Sequence, residues 1–203
     1  MEPHENLSER QDIKHLVYER NHIQRISQFC RKSESYTLVV QIIIDSHLKS
    51  HGAYTSIGSY YPKELFQLVK ALAMKNGKPT SMILQEYGEY LFEVFAKKYP
   101  QFFREKKSVF QFLEALETHI HFEVKKLYDH TELPHFECQY HIQNQMEMIY
   151  TSSRPLADFA EGLIRSCIKY HKENMTIVCE NLHAETGFKV RFVLTKGDPD
   201  ERL

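Results

Sequence analysis

The sequence predicts an α+β protein in which a helical N-terminal half packs on a C-terminal half of the order β-β-α-β-β. Up to about residue 128, apolar residues recur at spacings of three and four, as they do on one face of an amphipathic helix. From about residue 136 they alternate in short runs bounded by turn residues, a pattern typical of strands. The four strands are expected to form one antiparallel sheet, with a crevice available between the two halves.

Five helical patterns occupy the first half. They cover approximately residues 13–30, 36–48, 62–75, 79–98 and 108–128. Pro62 suits a first helical turn, Gly77 suits a helix end, and Pro100 is expected to stop the fourth helix. Ser108 is a suitable N-cap for the last and longest pattern. The apolar stripe of this helix consists of Val109, Leu113, Leu116, Ile120, Val124 and Leu127.

The second half alternates strand and helix signals. Strands are predicted at residues 136–143, 145–152, 175–182 and 188–195, and a helix at residues 155–171. Turn residues near Asn144 join the first strand pair, and Thr186-Gly187 join the second pair. The sequence therefore predicts two hairpins separated by one helix.

The domain organisation follows from these patterns. Residues 16–195 are expected to form one domain, with a polar, frayed extension at residues 1–15 and a tail at residues 196–203. Within the domain, residues 16–104 form the helical half and residues 105–195 the other half.

Composition narrows the class of protein. The net charge of -1 gives no electrostatic reason to expect nucleic acid or an acidic membrane surface as a partner. No run is long and apolar enough to span a bilayer, and the polar N-terminus has no signal-peptide core. Four cysteines without a C-x-x-C pair indicate free thiols in a reducing compartment. We therefore expect a soluble cytoplasmic protein.

Two histidines of the long helix are candidate metal ligands, because a neutral imidazole on a stiff helix can hold a haem iron. His119 and His121 lie on opposite flanks of the apolar stripe. The flank of His121 carries Phe110, Val124 and Tyr128, whereas that of His119 carries Phe112, Glu123 and Lys126. This geometry favours His121 only slightly, and on spacing alone both histidines read as hydrogen-bonded residues at the edge of the surface.

A second candidate group lies at the end of the second predicted strand. Tyr150, Ser152 and Arg154 occupy alternate positions, which point to the same side of an extended strand. A phenol, a hydroxyl and a guanidinium together can bind two clustered carboxylates, such as the propionates of haem. The alternative is an ordinary solvent-facing strand edge that leads into the next helix.

Six short motifs occur in a fixed order along the chain. They are Gly52-Ala-Tyr54-Thr55, Tyr87-Gly88-Glu-Tyr90-Leu91-Phe92, Ile120-His121-Phe-Glu123-Val-Lys-Lys126-Leu-Tyr128, Leu133-Pro134, Tyr150-x-Ser152-x-Arg154 and Phe159-Ala-Glu161-Gly162-Leu163. In these motifs and their spacing the chain resembles the bacterial H-NOX (haem nitric oxide/oxygen binding) domain. The resemblance covers approximately residues 36–194 and outweighs the alternatives given above for the histidines and the strand edge.

The resemblance implies a role for each matching residue. His121 would be the proximal ligand of haem b (iron protoporphyrin IX). Tyr150, Ser152 and Arg154 would hold the two propionates. Pro134 matches the proline that presses on the haem and bends it out of plane. No residue is expected to be catalytic.

Two further positions bear on the gas that would be bound. Phe159 and Leu91 stand where oxygen-binding members of the family place a distal tyrosine and its supporting asparagine. Neither side chain can donate a hydrogen bond to bound O₂, whereas NO binds ferrous haem without a donor. The resemblance therefore implies NO as the gas ligand, with CO as a further one.

The function implied is a haem-based NO sensor that regulates a separate signalling protein, either a histidine kinase or a cyclic-di-GMP enzyme. The first alternative is a haem-less protein-interaction module derived from the same fold. The second is a haem or thiol enzyme, which Phe159 and Leu91 disfavour because they supply no distal acid–base pair.

The chain departs from the family in two places. Before Tyr36 the usual Met-Lys/Gln-Gly opening and its apolar run are missing, and a polar segment that includes Tyr18 to His22 takes their place. The resemblance therefore does not cover the first helix of the family, which helps to form the distal wall of the pocket. The zinc site of some members is reduced to fragments such as Cys179 and His183, so no structural zinc is predicted.

Overall fold

The computed structural model describes most of the chain from Ile26 to Gly197. The described residues are 26, 28–30, 36–51, 62–98, 100–104, 106–121, 133–142 and 144–197. Several predictions lie outside them. These are the extension at residues 1–15, most of the helix at 13–30, the last part of the helix at 108–128, the turn at Gly52 and most of the tail.

The described helices of the first half agree with the prediction of a helical N-terminal half. Residues 26 and 28–30 are helical, and the helices that follow are α1 (Tyr36–Asp45), α2 (Pro62–Asn76), α3 (Thr80–Lys98) and α4 (Pro100–Arg104). Gly77 ends α2 with φ +62°, a left-handed conformation that glycine adopts without strain. Pro100 follows the end of α3 and is also the first residue of α4. At this position its missing N–H costs nothing.

The helix that carries His121 changes its winding partway. It runs as the α-helix α5 (Val109–Ala115) and continues as a π-helical turn over Leu116–His121. In a π-helical turn each hydrogen bond closes five residues on instead of four. The side chains after Leu116 are therefore rotated about the helix axis relative to a wheel drawn with the ordinary period.

The second half contains one four-stranded antiparallel sheet. Its strands are β1 (His135–Ile142), β2 (Gln145–Ser152), β3 (Met175–Leu182) and β4 (Phe188–Lys196), in the order β1-β2-β4-β3. Helix α6 (Ala157–His171) connects β2 to β3 and packs on α3. The α+β class and the β-β-α-β-β order predicted from the sequence are confirmed.

Two hydrophobic clusters form the interior. One lies among the helices of the first half and ends at Leu91, and the other lies between the sheet and α5 and α6 and begins at Phe92. Helix α3 therefore contributes to both clusters, with Ile83 to Leu91 in the first and Phe92 in the second. Leu156, Phe159 and Leu163 of the second half pack against the first cluster, so the two halves share side chains where α3 and α6 cross.

Candidate functional site

The helix that carries His121 is anchored firmly at its start. Ser108 is the N-cap, and its Oγ accepts a hydrogen bond from Gln111 N–H at 3.3 Å. The Glu173 carboxylate, from the turn after α6, accepts from Val109 N–H at 2.7 Å. Glu173 also pairs with Lys196 at the end of β4, at 3.0 Å. A carboxylate at a helix N-terminus satisfies a free N–H group and interacts favourably with the helix dipole.

His121 is the last residue of the π-helical turn and is only 8% exposed. Other residues of the same turn are less buried: Glu117 is partly exposed and Thr118 is exposed. The structure places His121 in the interior, whereas the side chain of His119 lies outside what the structure describes. The prediction that His121 rather than His119 is the ligand remains a prediction.

Glu117 is the partner of His121. Its Oε2 lies 3.0 Å from His121 Nδ1, and the same oxygen accepts from Phe136 N–H at 3.3 Å. Its Oε1 lies 3.1 Å from His135 Nδ1. Burial of the carboxylate by itself raises its pKa, but the hydrogen bonds with the two histidines outweigh burial and lower the pKa to about 2. Glu117 is therefore an anion at neutral pH.

The charge of Glu117 favours one tautomer of His121. A carboxylate can only accept hydrogen bonds, so the proton of a neutral imidazole must sit on Nδ1. The lone pair then lies on Nε2, the nitrogen on the far side of the ring. A carboxylate behind a histidine is also the arrangement that commonly orients metal-ligating histidines.

His135 is solvated, as its place next to a loop suggests, but it is also paired. It contacts Glu117 through Nδ1 and Glu137 through Nε2, the latter at 3.3 Å. These contacts, with the hydrogen bond to Glu117 as the main cause, raise the pKa of His135. Strand β1 is thereby connected to the π-helical turn by a polar contact at its first residue.

Aromatic rings connect His121 to the end of β2. The ring of Phe136 lies 5.7 Å from that of His121 and 5.5 Å from that of Tyr150. Phe136 and Tyr150 are direct partners in the β1–β2 register. Tyr150 in turn lies 6.4 Å from Phe192 on β4. The candidate iron ligand and the candidate propionate group are thus separated by one ring.

The Tyr150, Ser152 and Arg154 group is organised by a turn rather than by the strand alone. Strand β2 ends at Ser152, and Arg154 lies in the bend that leads to α6. Tyr150 Oη donates to the Arg154 carbonyl at 3.2 Å, and Ser152 Oγ accepts from Arg154 N–H at 3.1 Å. Burial is the main cause that raises the pKa of Tyr150, so the phenol remains a donor at neutral pH. The three residues therefore lie together, held by their own backbone.

Pro134 directly precedes β1 and is partly buried. Its two successors, His135 and Phe136, are the residues that contact Glu117. Pro134 is therefore next to the β1 residues that contact Glu117, the partner of His121, although Pro134 and His121 are more than ten positions apart in the sequence.

The two predicted distal residues lie in the first hydrophobic cluster. Leu91 is fully buried, and Phe159 of α6 packs against the same cluster. Tyr87, one turn before Leu91 and also fully buried, lies 5.2 Å from the Phe159 ring and 5.9 Å from Phe29. A phenol is therefore present beside Phe159, on the residue that precedes Gly88.

Two residues of this region were not singled out from the sequence. Glu117 stands four positions before His121, a spacing at which helical side chains meet, and this spacing was the available signal. Phe136 carried no comparable signal, because its contacts are with Glu117 and Tyr150, which are distant in the chain. Tyr87 opens one of the six motifs, but its contact with Phe159 was not predicted.

Among the described residues, the other thiols and imidazoles form no comparable group. The four cysteines, all within the described residues, form no disulfide, and burial raises the pKa of the Cys167 thiol. Within the described ranges, no group of three or more His, Cys, Asp or Glu residues could hold a metal ion. The absence of zinc remains a prediction. No helix in the described part of the chain is both long and apolar enough to cross a membrane.

Comparison with known proteins places the chain in a family. The haem-NO-binding (HNOB) family matches residues 23–179. No curated protein matches the chain. The crystal structure of the Fe(II) unliganded H-NOX protein from K. algicida is 30% identical, with a TM-score of 0.81, and the match covers 92% of this chain and 100% of that one.

Two further solved structures extend this comparison. The solution structure of the IWP-051-bound H-NOX from Shewanella woodyi, in the Fe(II)CO ligation state, is 31% identical with a TM-score of 0.76 and covers 92% of this chain and 97% of that one. A mutant structure of T. tengcongensis H-NOX is 17% identical, with a TM-score of 0.81 and coverage of 90% and 100%, and shows the fold alone. The family match spans most of the chain, so the protein belongs to the haem-NO-binding family and is an H-NOX domain protein.

Proposed function

We propose that this protein is a haem-based sensor of nitric oxide that binds ferrous haem b through His121. The observation that carries the proposal is the pairing of the buried His121 with Glu117 at 3.0 Å, which assigns the lone pair to Nε2. A neutral, oriented imidazole in a largely apolar setting is what a haem iron takes as its axial ligand.

The residues around His121 fit the rest of a haem. Tyr150, Ser152 and Arg154 combine two hydroxyls with a cation in one turn, a donor set suited to two carboxylates. These residues would hold the propionates. Pro134 would contact the haem on the side of His121, since it directly precedes the strand that touches Glu117. Phe136 lies between the two groups and would form part of an apolar wall.

The two residues proposed for the distal side of the haem favour NO over O₂. Leu91 is buried and Phe159 packs against the same cluster, and neither apolar side chain would donate a hydrogen bond to a gas ligand. When bound through His121, haem would supply a ferrous iron that takes NO without a hydrogen-bond donor. CO would be a further ligand on the same reasoning.

The chain would convert this change into movement of its own elements. His121 ends a π-helical turn that lies against β1, while Ser108 and Glu173 hold the start of the same helix. Release of His121 would therefore displace the π-helical turn, while the start of the helix would stay in place. The signal would pass to a separate protein, for which we propose a histidine kinase or a cyclic-di-GMP enzyme.

The visible spectrum of the purified, reduced protein tests this function. We expect a Soret band after reconstitution with haem and a shift of that band when NO is added. Absence of the band would contradict the proposal and would favour a haem-less interaction module. The regulatory part is tested separately, by measuring autophosphorylation or cyclic-di-GMP turnover of a candidate partner with the haem-loaded protein, with and without NO.

A further inference from the structure

One carboxylate joins the candidate haem ligand to the first strand of the sheet. Glu117 contacts His121 on its own π-helical turn, and it contacts His135 and Phe136 on β1. All three contacts are between 3.0 and 3.3 Å, and the Glu117 side chain is 22% exposed. Both oxygens of one carboxylate are therefore engaged, and the partners lie on two different elements.

Such a group constrains the imidazole in two ways. It accepts the Nδ1 proton and so fixes the tautomer, and its negative charge makes the remaining ring nitrogen a stronger donor to a metal. Its own position is set by β1, because the Phe136 N–H and the His135 ring hold it from the side of the strand. The orientation of His121 is therefore determined by the sheet as well as by its helix.

We propose that Glu117 is a positioning residue for His121, holding it as the Nδ1–H tautomer and tying its ring to strand β1. This inference rests on the proposed function, because its consequence is a stronger bond between His121 and haem iron. A charged acceptor behind the imidazole makes the ligand more basic, and a neutral acceptor or none makes it less so.

The test in the haem-loaded protein compares Glu117→Gln and Glu117→Ala with a matched control. Glu117→Gln keeps the shape and a neutral acceptor, whereas Glu117→Ala removes the acceptor. Glu137→Gln is the control, because Glu137 contacts His135 without contacting His121. Resonance Raman spectra of the reduced protein should show the iron–histidine stretch shifted to lower frequency in Glu117→Gln and further lowered in Glu117→Ala. Glu137→Gln should retain the wild-type frequency.

The test in the haem-free protein reads the tautomer directly. Nitrogen-15 NMR of labelled histidine should show His121 as the Nδ1–H tautomer in the wild type and in Glu137→Gln. In Glu117→Ala we expect a mixture of tautomers. The Phe136 amide proton should also exchange faster in Glu117→Ala, since it loses its acceptor.

The outcomes separate this inference from the proposed function. An unchanged iron–histidine frequency in both Glu117 variants would overturn the role of Glu117, while haem binding through His121 would stand. A protein that takes up no haem would contradict the proposed function, and the NMR measurement would still decide whether Glu117 sets the tautomer. Glu117→Gln, which keeps the side-chain volume, provides the readout if Glu117→Ala does not fold.

Discussion

Gly88 on α3 and Gly162 on α6 face each other where the two helices cross, and a Cβ on Gly88 would lie 3.1 Å from the Gly162 Cα. The same Cβ would lie 2.3 Å from the Phe159 carbonyl oxygen. Polar contacts flank the crossing, from Gln85 to Glu161 at 2.9 Å and from Lys169 to Glu89 at 2.6 Å. The two halves of the protein thus meet backbone against backbone beside the predicted distal residue Phe159.

This crossing predicts that Gly162→Ala is destabilising, although alanine is the better helix former. The added Cβ would lie 2.0 Å from the Gln85 carbonyl oxygen, so the helices must separate. Overpacking of this kind costs roughly 1–3 kcal/mol, more than the gain of about 1 kcal/mol in helix propensity. Thermal and urea unfolding would measure the loss. Gly197→Ala is a control outside the helices, because the atoms nearest to its Cβ would belong to the side chain of Asn174 and not to backbone. Equal stability of the Gly162 variant and the wild type would show that the helices cross less closely.

His121→Gly is expected to abolish haem binding unless free imidazole is added to fill the gap. The reason is that His121 is buried and pairs with Glu117 through Nδ1, which leaves Nε2 to bind a metal. His119→Gly should keep haem and lose only roughly 0.5–1 kcal/mol of stability from the glycine in a helix. Soret absorbance after desalting measures how much haem each variant retains. Haem kept without His121 and lost without His119 would reverse the assignment.

Arg154→Ala is expected to increase the rate of haem loss while leaving the bond to His121 intact. The guanidinium would pair with a propionate and has no contact with the iron, and the loss of one buried charge-assisted pair is on the order of a few kcal/mol. Transfer of haem to an acceptor protein measures the rate, and the iron–histidine stretch reports on His121. Ser153→Ala, at the exposed neighbouring position, is the control. An unchanged rate of haem loss in Arg154→Ala would show that Arg154 does not hold a propionate.

Phe159→Tyr combined with Leu91→Asn is expected to give measurable O₂ affinity. The pair would supply a phenol donor and an amide to orient it, in place of two apolar side chains. Spectra of the reduced protein in air and under nitrogen measure the effect. Because Tyr87 already lies 5.2 Å from Phe159, Tyr87→Phe is made in both backgrounds to separate its hydroxyl from the new one. No O₂ affinity in the double variant would mean that these positions do not line the gas site.

Low pH is expected to lower the free energy of unfolding of the haem-free protein, because Glu117 becomes protonated. Its pKa in the folded state is about 2, below the unfolded value of 4.5, so its stabilising contribution is complete above pH 4.5 and is lost as the pH falls toward 2. The free energy of unfolding of the wild type should therefore fall more steeply over this range than that of Glu117→Gln. Urea unfolding at a series of pH values measures both. Parallel curves for the two proteins would show that the Glu117 carboxylate is not stabilised by the fold.

The local patterns of the sequence determined the elements of this protein and their order. Hydrophobic period and turn residues predicted α2, α3, α6 and the four strands to within about two residues, because these signals depend only on neighbours in the chain. The motifs that include His121 and Tyr150 were likewise readable, since a family resemblance is carried by short segments. This local information was sufficient for the α+β class.

The tertiary structure decided which side chains meet. A wheel with one period could not separate His119 from His121, because the π-helical turn changes the period just before them. Glu117 contacts His135 and Phe136, which are 18 and 19 residues further along the chain. Tyr87 contacts Phe159 across the α3–α6 crossing. Such pairs depend on how whole helices pack on a sheet, and no local preference encodes that packing.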